Sequence, residues 1–174
     1  MRPFRPGDVA DVCEYAADEE FSRFLPMVPL PYTIEDAEQF VSLCVSAPWE
    51  ANPRFAIVVE GRVAGSVELR VDRQHAAAEI GYALGRRHWG KGYMTEAVGA
   101  VIAWAFGSFG IEKVWAVADV ANGASTRVME KVGMIREGTL QGHQLARDRK
   151  TRVDVAQYGL LRSEWKPAGA PADA

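Results

Sequence analysis

Arg87-His88-Trp89-Gly90-Lys91-Gly92 separates an apolar stretch from a long amphipathic one, and its reading decides the fold. Glycine carries no Cβ, so the backbone at 90 and 92 can turn tightly and come close to a ligand. The helix expected to start near Met94 presents free N–H groups, and the positive end of its dipole, to that turn. Arg86, Arg87 and Lys91 add full positive charges. A strand, a glycine turn and a helix N-terminus in that order make a site for pyrophosphate.

The flanks strengthen this reading. Upstream, Ala78-Glu79-Ile80-Gly81-Tyr82-Ala83-Leu84 is an apolar run of strand length. Downstream, Ala97, Val98, Val101, Ile102 and Ala105 recur at helical spacing from Met94 to about Phe109, with Gly107 and Gly110 as the stop. Lys113 to Ala118 is rich in strand formers. Asn122-Gly123-Ala124-Ser125 then opens a second helix, Thr126 to Lys131, that stops at Gly133. The order strand, turn, helix, strand, turn, helix is a βαβα unit.

A rival reading starts at Gly85. Residues 85–91 fit the first seven positions of a P-loop, Gly-x-x-x-x-Gly-Lys. The eighth should be a Ser or Thr that holds Mg²⁺, and here it is Gly92. Asp119 is only a loose match to the second metal-binding Asp. That chemistry lacks a ligand.

With 174 residues, 48% of them hydrophobic, the chain fits one domain with a sizeable core. The formal net charge of −3 gives no basic footprint for nucleic acid, so the cluster Arg86, Arg87, His88, Lys91 is better explained by a phosphate ligand. Cys13 and Cys44 make neither a disulfide framework nor a metal set, and no metal site is expected. The start Met-Arg-Pro-Phe-Arg-Pro-Gly has no apolar signal segment, and no run approaches membrane-spanning length. A soluble cytoplasmic protein with no membrane partner is the default.

The rest reads coarsely. Asp8 is placed to cap a helix over Val9 to Ala17. Leu25 to Tyr32 is a proline-punctuated loop, and Thr33 caps a helix over Asp36 to Cys44. Two strands, 55–60 and 63–70, flank a hairpin turn at Gly61-Arg62. A last strand pair spans 134–145 and 152–160. The single domain covers 1–165, and the Pro-, Gly- and Ala-rich residues 166–174 form a disordered tail.

With these motifs in order, the chain resembles the GNAT superfamily of acyl-CoA-dependent N-acyltransferases. Arg87-x-x-Gly90-x-Gly92 matches that family's turn for the pyrophosphate of coenzyme A. Ala78 to Tyr82, Trp89 to Tyr93, Asn122-x-x-Ser125, Glu130 to Met134, Arg2 to Asp8 and Tyr158 to Leu161 are similar to the branch that acetylates the N-terminal alanine of ribosomal proteins. The resemblance covers roughly residues 2–165. It implies an α/β (α+β) GNAT fold: a mixed central sheet splayed at the cofactor site, with helices on both faces.

The same resemblance implies an N-acetyltransferase that moves an acetyl group from acetyl-CoA to a primary amine by direct attack in a ternary complex. The amine belongs to a protein N-terminus or a small molecule. A non-catalytic acyl-CoA sensor is the alternative, and a homodimer is left open. Acetyl-CoA would be held by Tyr82, Ala83 and Leu84 through backbone, by Arg87, Trp89, Gly90, Lys91, Gly92 and Tyr93 at the turn, and by Asn122 and Ser125. Glu79 is the first candidate base, with Glu68 and His143 next. Many members place a Tyr acid before Glu-Lys-x-Gly, where this chain has Met129; Ser125 is the alternative donor to the leaving thiolate. Gln144 stands where some members carry a second Glu. The acceptor cleft is expected among Phe21, Phe24, Leu25, Met27, Leu30, Tyr32 and Trp49, and Asp18, Glu19 and Glu20 hint weakly at a polycationic acceptor.

Overall fold

A computed structural model describes residues 1–166. The seven strands are β1 (Arg2–Pro3), β2 (Arg54–Val59), β3 (Arg62–Asp72), β4 (Ala77–Leu84), β5 (Lys113–Asp119), β6 (Ile135–Leu145) and β7 (Arg152–Leu161). The helices are α1 (Val9–Ala16), α2 (Glu19–Ser22), α3 (Ile34–Ser46), α4 (Tyr93–Ser108) and α5 (Gly123–Lys131). The strands form one sheet in the order β1-β2-β3-β4-β5-β7-β6. Every neighbouring pair is antiparallel except β4 and β5. The expected mixed α/β sheet and its βαβα unit are therefore present. The proposed tail from Lys166 falls, beyond Lys166 itself, outside the described residues.

Strand alternation assigns the two faces. Val67, Leu69, Ala78, Ile80, Val114 and Ala116 point to one face, where α4 and α5 bury Val98, Val101, Ile102 and Met129 against them. On the other face Ala56 and Val63 pack with Val12 of α1 and Ala37 and Val41 of α3. Helices thus cover both faces, as the alternation of apolar residues requires of an otherwise open sheet.

Several local expectations shift. The β2–β3 turn lies one residue earlier than expected. Glu60 and Gly61 take φ of 52° and 81°, and Val59 pairs with Arg62 across a two-residue loop. Positive φ at both central residues is the geometry that follows the strand twist. A bulge between Ile57 and Val58 gives β3 one extra residue, so Val63, Ala64 and Gly65 are buried in succession. Gly107 lies inside α4; the helix ends after Ser108, with Gly110 in the left-handed region. Thr33 caps α3 in a reciprocal capping box with Asp36. The two-residue β1 and the one-turn α2 carry too little pattern to read from sequence.

Asp8 does not cap α1 with its side chain. The carboxylate turns back to accept from Arg2 at 2.7 and 2.8 Å and from the Arg5 N–H at 2.8 Å. It is 5% exposed. Burial pushes its pKa up, but those hydrogen bonds and the arginine charges outweigh it and hold Asp8 below the ordinary value. The pair pins β1 to the start of α1. A depressed folded pKa contributes stability that is present above the unfolded value, near about 3.9. That contribution is lost as pH falls through the folded value. Asp8→Ala should cost about 3 kcal/mol at pH 7, the order seen when one partner of a buried pair is removed. Urea unfolding should show the gap between variant and parent closing below that unfolded value; a gap that persists there would show the loss to be packing alone.

Candidate active site

β4 and β5 pair only at Ala77–Lys113, Ala78–Val114 and Glu79–Trp115. Beyond Glu79 the strands part, and the β4 edge that would face β5 has no strand partner. A cavity of about 650 Å³ opens on the α4–α5 face. A second, of about 580 Å³, opens on the α1–α3 face. Tyr82, Ala83, Asn122 and Ser125 line both, so the cavities meet where the sheet has split.

The first cavity is built on the glycine turn. Arg86–His88 forms a single tight turn, and Trp89 Nε1 donates to the Leu84 carbonyl at 2.6 Å, tying the turn to the strand end. Gly90 and Gly92 take φ of 73° and 85°. A Cβ at either would meet no protein atom within 4 Å. Glycine is needed there for its backbone angle and leaves an open cradle. Gly92 precedes α4 and no side chain caps that end, so the first-turn N–H groups have no side-chain acceptor.

Arg23, Arg127 and Lys131 supply charge to this cavity. Arg127 and Lys131 make no ion pair among the described residues. Sequence reasoning missed them, although their i, i+4 spacing on α5 puts both on one helix face. Arg87 instead pairs with Glu14 of α1. Lys91 is exposed at the turn and does not line the cavity. Burial, with Lys91 and Arg87 alongside, lowers the His88 pKa, and its Nδ1 is buried without a partner. The open glycine cradle, the uncapped helix end, the unpaired cations and the orphaned imidazole nitrogen fit a diphosphate.

At the junction, Asn122 caps α5 by accepting from the Ser125 N–H at 3.1 Å, which leaves its amide NH₂ free to donate. The Tyr82 hydroxyl lies 2.9 Å from Ser125 Oγ and 3.0 Å from the Ser125 carbonyl. Burial pushes the Tyr82 pKa up to about 12, with the Ser125 hydrogen bond opposing. This phenol stays protonated at neutral pH. Met129, at the position of the absent Tyr acid, is fully buried in the core. The Tyr82 side chain was not anticipated. Its signal was parity: Ala78, Ile80, Tyr82 and Leu84 share one face of β4, and only Tyr82 has a polar tip.

The second cavity brings Glu68 and Glu79 together, but each is bound to arginine. Arg70 donates to Glu79 at 2.6 and 3.1 Å and to Glu68 at 2.5 Å. Arg54 lies 3.3 Å from Glu68. Phe21, Phe24, Leu25, Met27 and Tyr32 line this cavity as expected, with Tyr15, Phe40 and Gln144. Leu30 and Trp49 do not; Trp49 packs on Phe55 and Trp104. His143 is exposed and lines neither cavity. The loop bearing Phe24 to Val28 is clasped by Arg147, which donates to the Val28 carbonyl at 2.9 Å and to Ser22 Oγ at 2.8 Å.

Among the described residues no helix is long and apolar enough to cross a membrane, and no group of three or more metal-ligating side chains occurs. Residues 1–135 match the family model described as an acetyltransferase (GNAT) domain. The chain is 29% identical to the N-acetyltransferase p20 of Bacillus licheniformis over 170 residues, 95% of this chain and 93% of that one. A GNAT-family acetyltransferase structure from Bacillus anthracis superposes with a TM-score of 0.81 at 27% identity, covering 94% of each chain. The fold also matches the microcin C7 self-immunity acetyltransferase solved with acetyl-CoA and AMP (TM-score 0.84, 21% identity, 91% of this chain and 89% of that one). Ribosomal-protein-S5-alanine acetyltransferase from Vibrio fischeri matches at 0.81 and 21%, covering 95% and 94%. With a GNAT model matched over most of its length and an N-acetyltransferase relative along nearly all of it, the chain belongs to the GNAT acetyltransferase family and is an acetyl-CoA-dependent acyltransferase.

Proposed function

We propose that the protein moves an acetyl group from acetyl-CoA to a primary amine by direct attack, with the two substrates entering from opposite faces of the sheet. The observation that carries this reading is the meeting of two cavities at Tyr82, Ala83, Asn122 and Ser125. A donor in one and an acceptor in the other can react through the gap, and no acyl-enzyme is required.

In this reading the diphosphate lies on Trp89 to Tyr93 and the N-terminus of α4, balanced by Arg127 and Lys131. Lys91 can swing in, and Arg87 joins by leaving Glu14. The free edge of β4 at Tyr82, Ala83 and Leu84 pairs with the amides of the pantetheine arm as an added strand does, and Asn122 donates its free amide to the same arm. A β4 N–H polarises the thioester carbonyl.

The amine lone pair forms the new C–N bond as the C–S bond breaks, and the sulfur leaves with that electron pair. The Ser125 hydroxyl, oriented by Tyr82, donates to the sulfur. Glu79 takes the proton that the amine gives up; Arg70 then remains paired with Glu68, so no cation is stranded.

Two measurements test the reading. Acetyl-CoA should bind without added metal, and Gly90→Val should weaken binding about tenfold, as a β-carbon at positive φ costs roughly 1–2 kcal/mol. Unchanged affinity by titration calorimetry would show the turn to be misassigned. With an accepted amine, Ser125→Ala should lower kcat about tenfold at unchanged acetyl-CoA affinity, the order of one charge-assisted hydrogen bond. Glu79→Gln should also lower kcat, and its deficit should shrink at high pH, where more amine is already neutral. Overlapping pH–rate profiles for Glu79→Gln and parent would remove Glu79 as the base.

A further inference from the structure

The acceptor cavity holds three carboxylates, Glu68, Glu79 and Asp119, and two arginines, Arg54 and Arg70. Glu68 and Glu79 are taken up by Arg54 and Arg70. Asp119, at the end of β5, makes no ion pair among the described residues. Its Oδ1 accepts from the Ala121 N–H at 2.8 Å, and its other oxygen has no hydrogen-bond partner among them. The Asn122 N–H donates to the Asp119 carbonyl at 2.8 Å, which places Asp119 one turn of chain from Ser125 at the junction. The acidic run that hinted at a polycation does not contribute here. Asp18 accepts from the Glu20 N–H and lies near Arg86, Glu20 pairs with Arg23, and none of Asp18, Glu19 and Glu20 lines this cavity.

The remaining wall is apolar. Tyr15 and Phe21 meet edge to face at 5.1 Å, and Phe24, Met27, Tyr32 and Phe40 continue the surface. Burial pushes the Tyr15 pKa up and that of Tyr32 up to about 12, so both phenols remain neutral. A polyamine or aminoglycoside entering here would bring several ammonium groups to one free carboxylate. Each surplus charge would lose water without gaining a partner, which is costly in an apolar cleft.

Resting on the transferase reading above, we propose that the acceptor is a monoamine with an aromatic or bulky aliphatic body. Its single ammonium group is held by Asp119, and its body lies on the Phe21–Phe24–Tyr32 wall. A small arylalkylamine and a peptide with an apolar N-terminal residue share this chemistry, and the assay separates them.

The test measures CoA release from acetyl-CoA with phenethylamine, a Phe-Ala-Ala-Ala amide peptide, spermidine and kanamycin. The proposal expects kcat/KM at least tenfold higher for one of the first two than for either polycation. Asp119→Asn keeps an oxygen for the Ala121 N–H. It should raise the amine KM about tenfold while leaving the acetyl-CoA affinity and melting temperature unchanged. Arg70→Gln frees Glu68 and Glu79 and should shift the ratio of spermidine to phenethylamine activity toward spermidine. A parent enzyme that prefers spermidine or kanamycin overturns the acceptor class and leaves the transferase reading intact. An unchanged amine KM in Asp119→Asn overturns the role of Asp119. Tight acetyl-CoA binding with no release for any of the four amines overturns the transferase reading and this proposal with it.

Discussion

Three residue pairs of parallel ladder hold β4 to β5, and then the strands separate. The rest of the site depends on that short contact. A fully zipped pair would close the sheet and leave two unconnected surface hollows. A pair that never met would leave Ala78 and Val114 without the buried positions they hold. The parting frees backbone N–H and C=O groups along β4. In a sheet interior such groups are satisfied by a neighbouring strand, and here a peptide-like ligand can take that place.

Electrostatics differ on the two sides of the gap. The α4–α5 side gathers helix N–H groups and unpaired cations, and little on that side neutralises them. The α1–α3 side carries nearly as many charged side chains but arranges most of them as Arg–Glu pairs. The first arrangement favours an anion of high charge. The second presents an apolar surface with little free charge. Partly buried pairs of this kind contribute little net stability against a well-packed apolar alternative. Their clearer effect here is on which charges remain available to a ligand.

The backbone of this arrangement was legible in the sequence. The spacing of Gly90 and Gly92, the parity of residues 78–84 and the helical period after Met94 placed the βαβα unit and the cradle, because these are local signals. The side-chain pairings were not legible. Arg87 reads as a phosphate ligand until Glu14, 73 residues away, lies beside it. Glu79 reads as a free base until the β3–β4 register sets Arg70 opposite. His143 and Gln144 could not be told apart by alternation, since the β6–β7 register shifts between Leu140 and Gln144. Such a shift reverses which residues face the site.

Because donor and acceptor approach from opposite faces, a molecule that joins them covalently would be threaded through the sheet. Neither half could slide away along its own surface while the other remained seated. Escape would require one arm to be drawn through the gap between Tyr82 and Ser125, or β4 and β5 to part further. The lifetime of such a complex would therefore follow the breathing of two strands more closely than the number of contacts at either end.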